Sequence, residues 1–165
     1  MAIVDSILME IEQEANTTKR VLDRVPEGKL GWKPHAKSYS LGQLALHIAR
    51  GQGGLADMAS KDTFEIGDMS QPAPASMKEI LDTFFQSTAH AKQVLATMDD
   101  ARLMATWTAT RNGEVILSLP RIGFIRAILM NHMYHHRGQL SVYLRLLDVP
   151  VPSIYGPSAD ENPFG

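Results

Sequence analysis

Residues 120–147 read PRIGFIRAILMNHMYHHRGQLSVYLRLL, and the reading of this stretch decides the fold. Pro120 can open a helix, because the N–H it lacks would be unpaired in a first turn anyway. From there Ile125, Leu129, His132, His136 and Tyr143 recur at helical spacing, so one face of a helix runs on to about Leu147. That face is apolar except for two imidazoles, which stand where a bundle ordinarily places leucines. A long helix with one such stripe needs partner helices to bury it.

The rest of the chain supplies them. Val4, Ile7, Leu8, Ile11, Ala15, Thr18, Leu22 and Val25 mark a first helix ending before Pro26 and Gly28. A connector from Pro26 to Tyr39 holds two prolines and two glycines, and its Trp32 is large enough to plug one end of a core. Ser40 with Gln43 forms a capping box before the stripe Leu41, Leu44, Ile48 and Leu55. Residues 61–75, with Gly67, Pro72 and Pro74, read as a long connection. Ser76 with Glu79 is a second capping box, ahead of Met77, Ile80, Leu81, Phe84, Thr88, Ala91, Val94, Leu95 and Met98. Between Thr106 and Leu119 the pattern alternates around Asn112-Gly113, a dipeptide suited to a tight hairpin turn. The last eighteen residues carry four prolines and are non-helical, yet Val151, Ile154, Tyr155 and Phe164 offer anchors that predict an ordered tail.

Four amphipathic helices bury their stripes most simply against one another. The expected fold is therefore all-α, a four-helix bundle with a short β-hairpin before the last helix. It forms one domain over residues 1–165, of which 148–165 are the tail. The connection after helix two is long enough for a crossover, which leaves the packing order open.

Composition narrows the function. A formal charge of -2 without a basic block offers no footprint for a phosphate backbone, so nucleic acid is not an expected partner. No stretch approaches the roughly 18 apolar residues of a membrane span. The N-terminus lacks the basic flank and unbroken apolar core of a signal peptide, and a cytoplasmic address is expected. The absence of cysteine removes thiolates and leaves histidine and carboxylate as metal ligands. The nine methionines suit gap-filling in helical cores.

His132 and His136, four apart, project from one helix face a turn apart, a spacing that lets two imidazoles share one ion. His47, beside Ile48 and one turn after Leu44, lies at the edge of its own helix's buried stripe and could complete a triad. Three neutral imidazoles would leave a coordination position open, as catalytic sites do. The same spacing also fits core histidines with ordinary hydrogen bonds, though three of them would need three separate polar partners. His135 lies about 100° around the helix from His136 and is expected to face away. Tyr143 is nearly in line with His132, and Gln43 precedes His47 by a turn. Tyr143 could orient a metal-bound water and Gln43 could support His47, but core packing and capping are the expected roles of these two. Nothing promotes His35 or His90.

Asn131 through Leu140, NHMYHHRGQL, continuing to Tyr143-Leu144-Arg145, resembles the H-x-x-x-H-R-G-Q-L signature of the DinB/YfiT-like metalloenzyme family. LGQLALHIA, residues 41–49, is similar to that family's second-helix motif, which ends in its first histidine. Trp32-Lys33-Pro34, Val149-Pro150-Val151-Pro152 and Tyr155-Gly156-Pro157-Ser158 carry the likeness across nearly the whole chain. The resemblance implies a four-helix bundle whose residues matching His47, His132 and His136 bind a divalent metal. It also implies a homodimer. One departure is Arg50-Gly51-Gln52-Gly53-Gly54, where relatives often carry an aromatic residue. Glycines here cost a helix roughly 2–3 kcal/mol relative to alanine. The second helix therefore either breaks there or uses the space for close packing, a kink or a ligand.

Two functions follow. In one, the open metal position lowers the pKa of a water or thiol, for hydrolysis or thiol-cofactor transfer on a small-molecule substrate. The resemblance supplies both chemistries and a low-molecular-weight thiol as cofactor. No carboxylate stands at a clearly inward position, so the metal-bound nucleophile would have to suffice, or a residue from the hairpin or tail would assist. In the other, the chain is a non-catalytic metal-binding or stress-associated scaffold. A pocket reaching the metal favours the first and a sealed site the second. Three imidazoles suit zinc, nickel, iron or copper, with zinc, nickel and iron the expected occupants.

Overall fold

The computed structural model describes residues 2–164. Its elements are helices α1 (Ile3–Leu22), α2 (Leu41–Ser60), α3 (Met77–Ala96) and α4 (Asp100–Met104), strands β1 (Thr63–Glu65), β2 (Thr106–Arg111) and β3 (Glu114–Pro120), and a last helical run. That run comprises α5 (Arg121–Phe124), a π-helical segment (Ile125–Met130) and α6 (Asn131–Leu146). The result is a helical bundle with a small three-stranded sheet ordered β1-β2-β3.

The local signals act where the sequence puts them, with two adjustments. Ser40 and Gln43 cap α2 reciprocally, at 3.2 and 3.0 Å. Ser76 accepts from the Glu79 backbone N–H at 3.1 Å, but the Glu79 carboxylate reaches back to Ala75 N instead of Ser76 N. Asn112 (φ 53°) and Gly113 (φ 79°) both take the left-handed conformation of a hairpin turn. Between Ala109 and Thr110 the register shifts, Ile116 being the extra residue of β3, and Val115, Ile116 and Leu117 around this irregularity are exposed. β1 lies inside the 61–75 connection and pairs in parallel with β2; three residues are too few to show a period.

The glycine run does not break α2. Gly53 lies against α3, its N–H donating to Ser87 Oγ at 2.8 Å, and a Cβ there would come within 3.1 Å of the Ser87 carbonyl oxygen. Gly54 faces open space. Gly53→Ala is therefore expected to destabilise by about 1–3 kcal/mol through overpacking, despite its better helix propensity. Gly54→Ala should stabilise by roughly 0.5–1 kcal/mol. Urea unfolding of the two variants side by side tests the contrast, and the same sign for both would refute it.

The last helix departs from the expected stripe. After Ile125, Leu129 and Met130 the buried positions are Met133, Arg137, Leu140 and Leu144, each reached by steps of three or four. The wider π turn displaces the seam by one residue relative to an uninterrupted α-helix. His132, His136 and Tyr143 consequently sit on its flank, half-buried, instead of replacing core leucines. Arg121 is wholly buried and anchors this helix's start, donating to the carbonyls of Ala59, Arg102 and Lys61 and to the Asp62 carboxylate. It thereby satisfies carbonyls at the ends of α2 and α4 that helix geometry leaves open.

Trp32 packs edge-on against Tyr143, ring centroids 5.7 Å apart, and so closes one end of the core. In the tail Val151 is buried and Ile154 half-buried, while Asp160 pairs with Arg145 and Glu161 with Arg20 and Arg24. Phe164, expected as an anchor, is instead exposed. The Tyr155 ring is exposed too, and it is the hydroxyl that holds, bonded to Glu14 and Arg137.

Candidate metal centre

His47 comes from the second turn of α2, and His132 and His136 from successive turns of α6. Their rings converge edge to face, with centroids 4.3 to 5.2 Å apart. One nitrogen from each lies within 4.8 Å of the others.

The supporting bonds decide which nitrogens are free. Gln71 Nε2 donates to the Met69 carbonyl and Arg50 Nη2 donates to Gln71 Oε1 at 2.7 Å, so the amide is oriented with its oxygen as acceptor. That oxygen lies 2.9 Å from His47 Nδ1, which therefore carries the proton and leaves the Nε2 lone pair available. Gln139 Oε1 takes the equivalent place at His136 Nδ1, 2.7 Å away. His132 Nε2 then faces His136 Nε2 at 2.8 Å, while His132 Nδ1 is buried with no partner among the described residues. Two imidazole lone pairs at that distance repel unless a proton or cation lies between them. A proton answers one contact, whereas a divalent ion answers three, and the donor set fits the latter.

Electrostatics keep these rings neutral. Burial is the main cause lowering all three basicities. It takes His132 to about 4, helped by the neighbouring imidazoles of His136, His47 and His135. For His47 the Gln71 bond opposes burial and Arg50 adds to it; for His136 the Gln139 bond opposes burial and His47 and His135 add to it. Between the folded values and the ordinary value of about 6.5, the unfolded chain binds more protons than the native one. The metal-free protein should thus lose stability as pH falls through that window. Metal affinity should be level from pH 8 to 7, then fall toward pH 4 by up to about tenfold per pH unit for each imidazole protonated. Urea midpoints and metal titrations at pH 5 and 7 check both signs, and a metal-free protein equally stable at the two would contradict the first.

The 61–75 connection contributes most of what sequence reasoning missed. A cavity of about 440 Å³ opens beside the histidines, lined by His47 and His132, by Arg50 and Gly51 of α2, and by Asp68, Ser70 and Gln71 of the connection. The Ser70 N–H and hydroxyl both donate to Asp68, holding its carboxyl below the usual range and therefore ionised. Gln43 does more than cap, since its Nε2 donates to the Gln71 carbonyl at 2.9 Å and fixes the loop that orients His47. Only the prolines and glycine of this connection were legible as signals, and they say nothing of where a loop folds back. The Glu14 carboxylate, which the sequence did not place inward, is buried in an ion pair with Arg137. Tyr143 is turned elsewhere, donating to the Tyr39 carbonyl. His135 is exposed, His90 pairs with Asp57, and His35 Nδ1 accepts from Lys37 N–H, all apart from the triad.

If Gln71 and Gln139 orient two ligands, Gln71→Ala and Gln139→Ala should each weaken metal binding about 10- to 100-fold without removing it. Unchanged affinity in both, measured by competition with a chelator, would argue against that role.

Known proteins share the fold and the sequence pattern of this chain. The chain is similar to the uncharacterized protein YrdA of Bacillus subtilis strain 168, at 28% identity over 162 residues, 96% of this chain and 91% of the relative. Its fold is similar to that of a DinB-like protein from Bacillus cereus ATCC 10987, with TM-score 0.72, 24% identity, and 93% and 98% of the two chains covered. A DinB-like protein, YjoA, from Bacillus subtilis gives TM-score 0.69 at 16% identity over 90% of this chain and 96% of its own. The pattern of the DinB superfamily matches residues 10–140, which include all three histidines and the glycine run, and the chain belongs to that superfamily.

Proposed function

We propose that this protein is a metal-dependent enzyme that holds one divalent ion through His47, His132 and His136 and acts on a small molecule by hydrolysis or thiol-cofactor transfer. The observation that carries this reading is a cluster of three imidazoles, two of which, His47 and His132, line a 440 Å³ cavity. A scaffold would not need the opening. A bound zinc, nickel or iron supplies Lewis acidity at its open position, enough to activate a water or a low-molecular-weight thiol.

The chain's own residues provide the remainder. Gln71, held by Gln43 and Arg50, orients His47, and Gln139 orients His136. Asp68, ionised and lining the same cavity, would be the proton acceptor in this reading. Elemental analysis of the purified protein, then turnover assays with ester and amide substrates and with thiol cofactors, tests the reading. A protein purified without stoichiometric metal and unable to bind zinc would overturn it.

The homodimer belongs to the same proposal. Phe84 is buried in the core, but its neighbour Phe85 is half exposed, as are Met9 and Val142. Light scattering that shows only an 18.2 kDa species at micromolar concentration would refute it. No described helix is long and apolar enough to cross a membrane; a cytoplasmic address is part of the proposal.

A further inference from the structure

A second, apolar cavity shares walls with the cavity beside the histidines. Leu55 and Met58 of α2 and Met69 of the connection line the cavity beside the histidines and also a slot of about 160 Å³ behind it. The slot's other walls include Phe64 of β1, Ile66, Trp107 of β2, Phe124 of α5 and Ile128 of the π segment. Every lining side chain is aliphatic, aromatic or thioether. The one polar group among them, the Trp107 indole N–H, is already bonded to the Met58 carbonyl at 2.9 Å. The sheet and the hairpin, which a four-helix bundle does not require, form one side of this slot.

We propose that the substrate is a small amphiphile: a polar head that meets the histidine site, joined to an unbranched or aromatic apolar tail of about six carbons that fills the slot. The inference rests on the reading of the three histidines as metal ligands. The tail length follows from volume, since an engineered cavity of about 150 Å³ with Leu, Ile and Phe walls stays dry and takes one benzene ring. Leu55, Met58 and Met69 wall both cavities, so a ligand with head and tail would span them and one lacking either part would bind more weakly.

Straight-chain hydroxamic acids of two to ten carbons, titrated calorimetrically into the zinc-loaded protein, separate head from tail. Affinity should rise about three- to fourfold per methylene until roughly six carbons and then level off. The δ-methyl resonances of Ile66 and Ile128 should move with hexanohydroxamate and not with acetohydroxamate. Ile116→Trp alters a half-exposed residue of the slot wall, so folding is not at stake. It should abolish the gain with length while leaving acetohydroxamate binding unchanged. Equal affinities along the series, with unmoved isoleucine methyls, would overturn the tail slot and leave the metal reading standing. Absence of zinc-dependent binding even by acetohydroxamate, which needs no slot, would overturn the metal reading and this inference with it.

Discussion

Replacing His136 by alanine is expected to lower divalent-metal affinity more than about 100-fold, since loss of a residue that merely orients a ligand costs 10- to 100-fold. His47→Ala and His132→Ala should do the same. Each leaves two imidazoles and an unfilled position where three lone pairs converged. His135→Ala is the control: its ring centroid is 5.1 Å from that of His136, yet the side chain is exposed and outside the cluster. It should keep one ion per chain. Calorimetric titration of the metal-free wild type and the four variants decides the matter. Equal affinity in wild type and His136→Ala, or loss of stoichiometry in His135→Ala, would return these histidines to ordinary core roles.

The triad was legible because helices translate spacing into direction. Four residues along α6 place two rings on one face whatever the neighbours do, and Leu44 and Ile48 fix the aspect of His47 on α2. The π segment was not legible. Residues 125–130, IRAILM, carry no proline, and periodicity alone cannot distinguish a seam that drifts by one residue from one that does not. This is why periodicity puts His132 and His136 in the core whereas they lie on the flank, His132 lining the cavity. Asp68, Ser70 and Gln71 were illegible for a different reason. Their placement depends on long-range bonds, from Gln43 and Arg50, that leave no trace in local pattern. The glycine run was ambiguous in sequence, and tertiary packing against Ser87 resolves it in favour of close approach.

The residue after His136 has the largest expected effect on stability. Arg137 is 1% exposed, and its guanidinium meets the Glu14 carboxylate at 2.6 Å, Thr18 Oγ1 at 3.1 Å and the Tyr155 hydroxyl at 2.5 Å. It also lies over the rings of Tyr134 and Tyr155, at 5.4 and 5.0 Å from their centroids. One side chain therefore joins α6 to α1 and the tail. Arg137→Met should destabilise by about 3–5 kcal/mol, because the buried Glu14 charge is then left without its partner. Arg145→Ala, which breaks an exposed pair with Asp160, should cost no more than about 1 kcal/mol. The double variant Glu14→Leu/Arg137→Met should recover much of the loss, since an apolar pair of similar volume needs no compensating charge. Urea unfolding at pH 7 of the metal-free proteins measures all three. A loss below 1 kcal/mol for Arg137→Met, or a double variant less stable than Arg137→Met, would show that the pair does not hold these elements together. Because His136 precedes Arg137 on the same turn, the same variant should also weaken metal binding, and the double variant should restore it in proportion to the stability it regains.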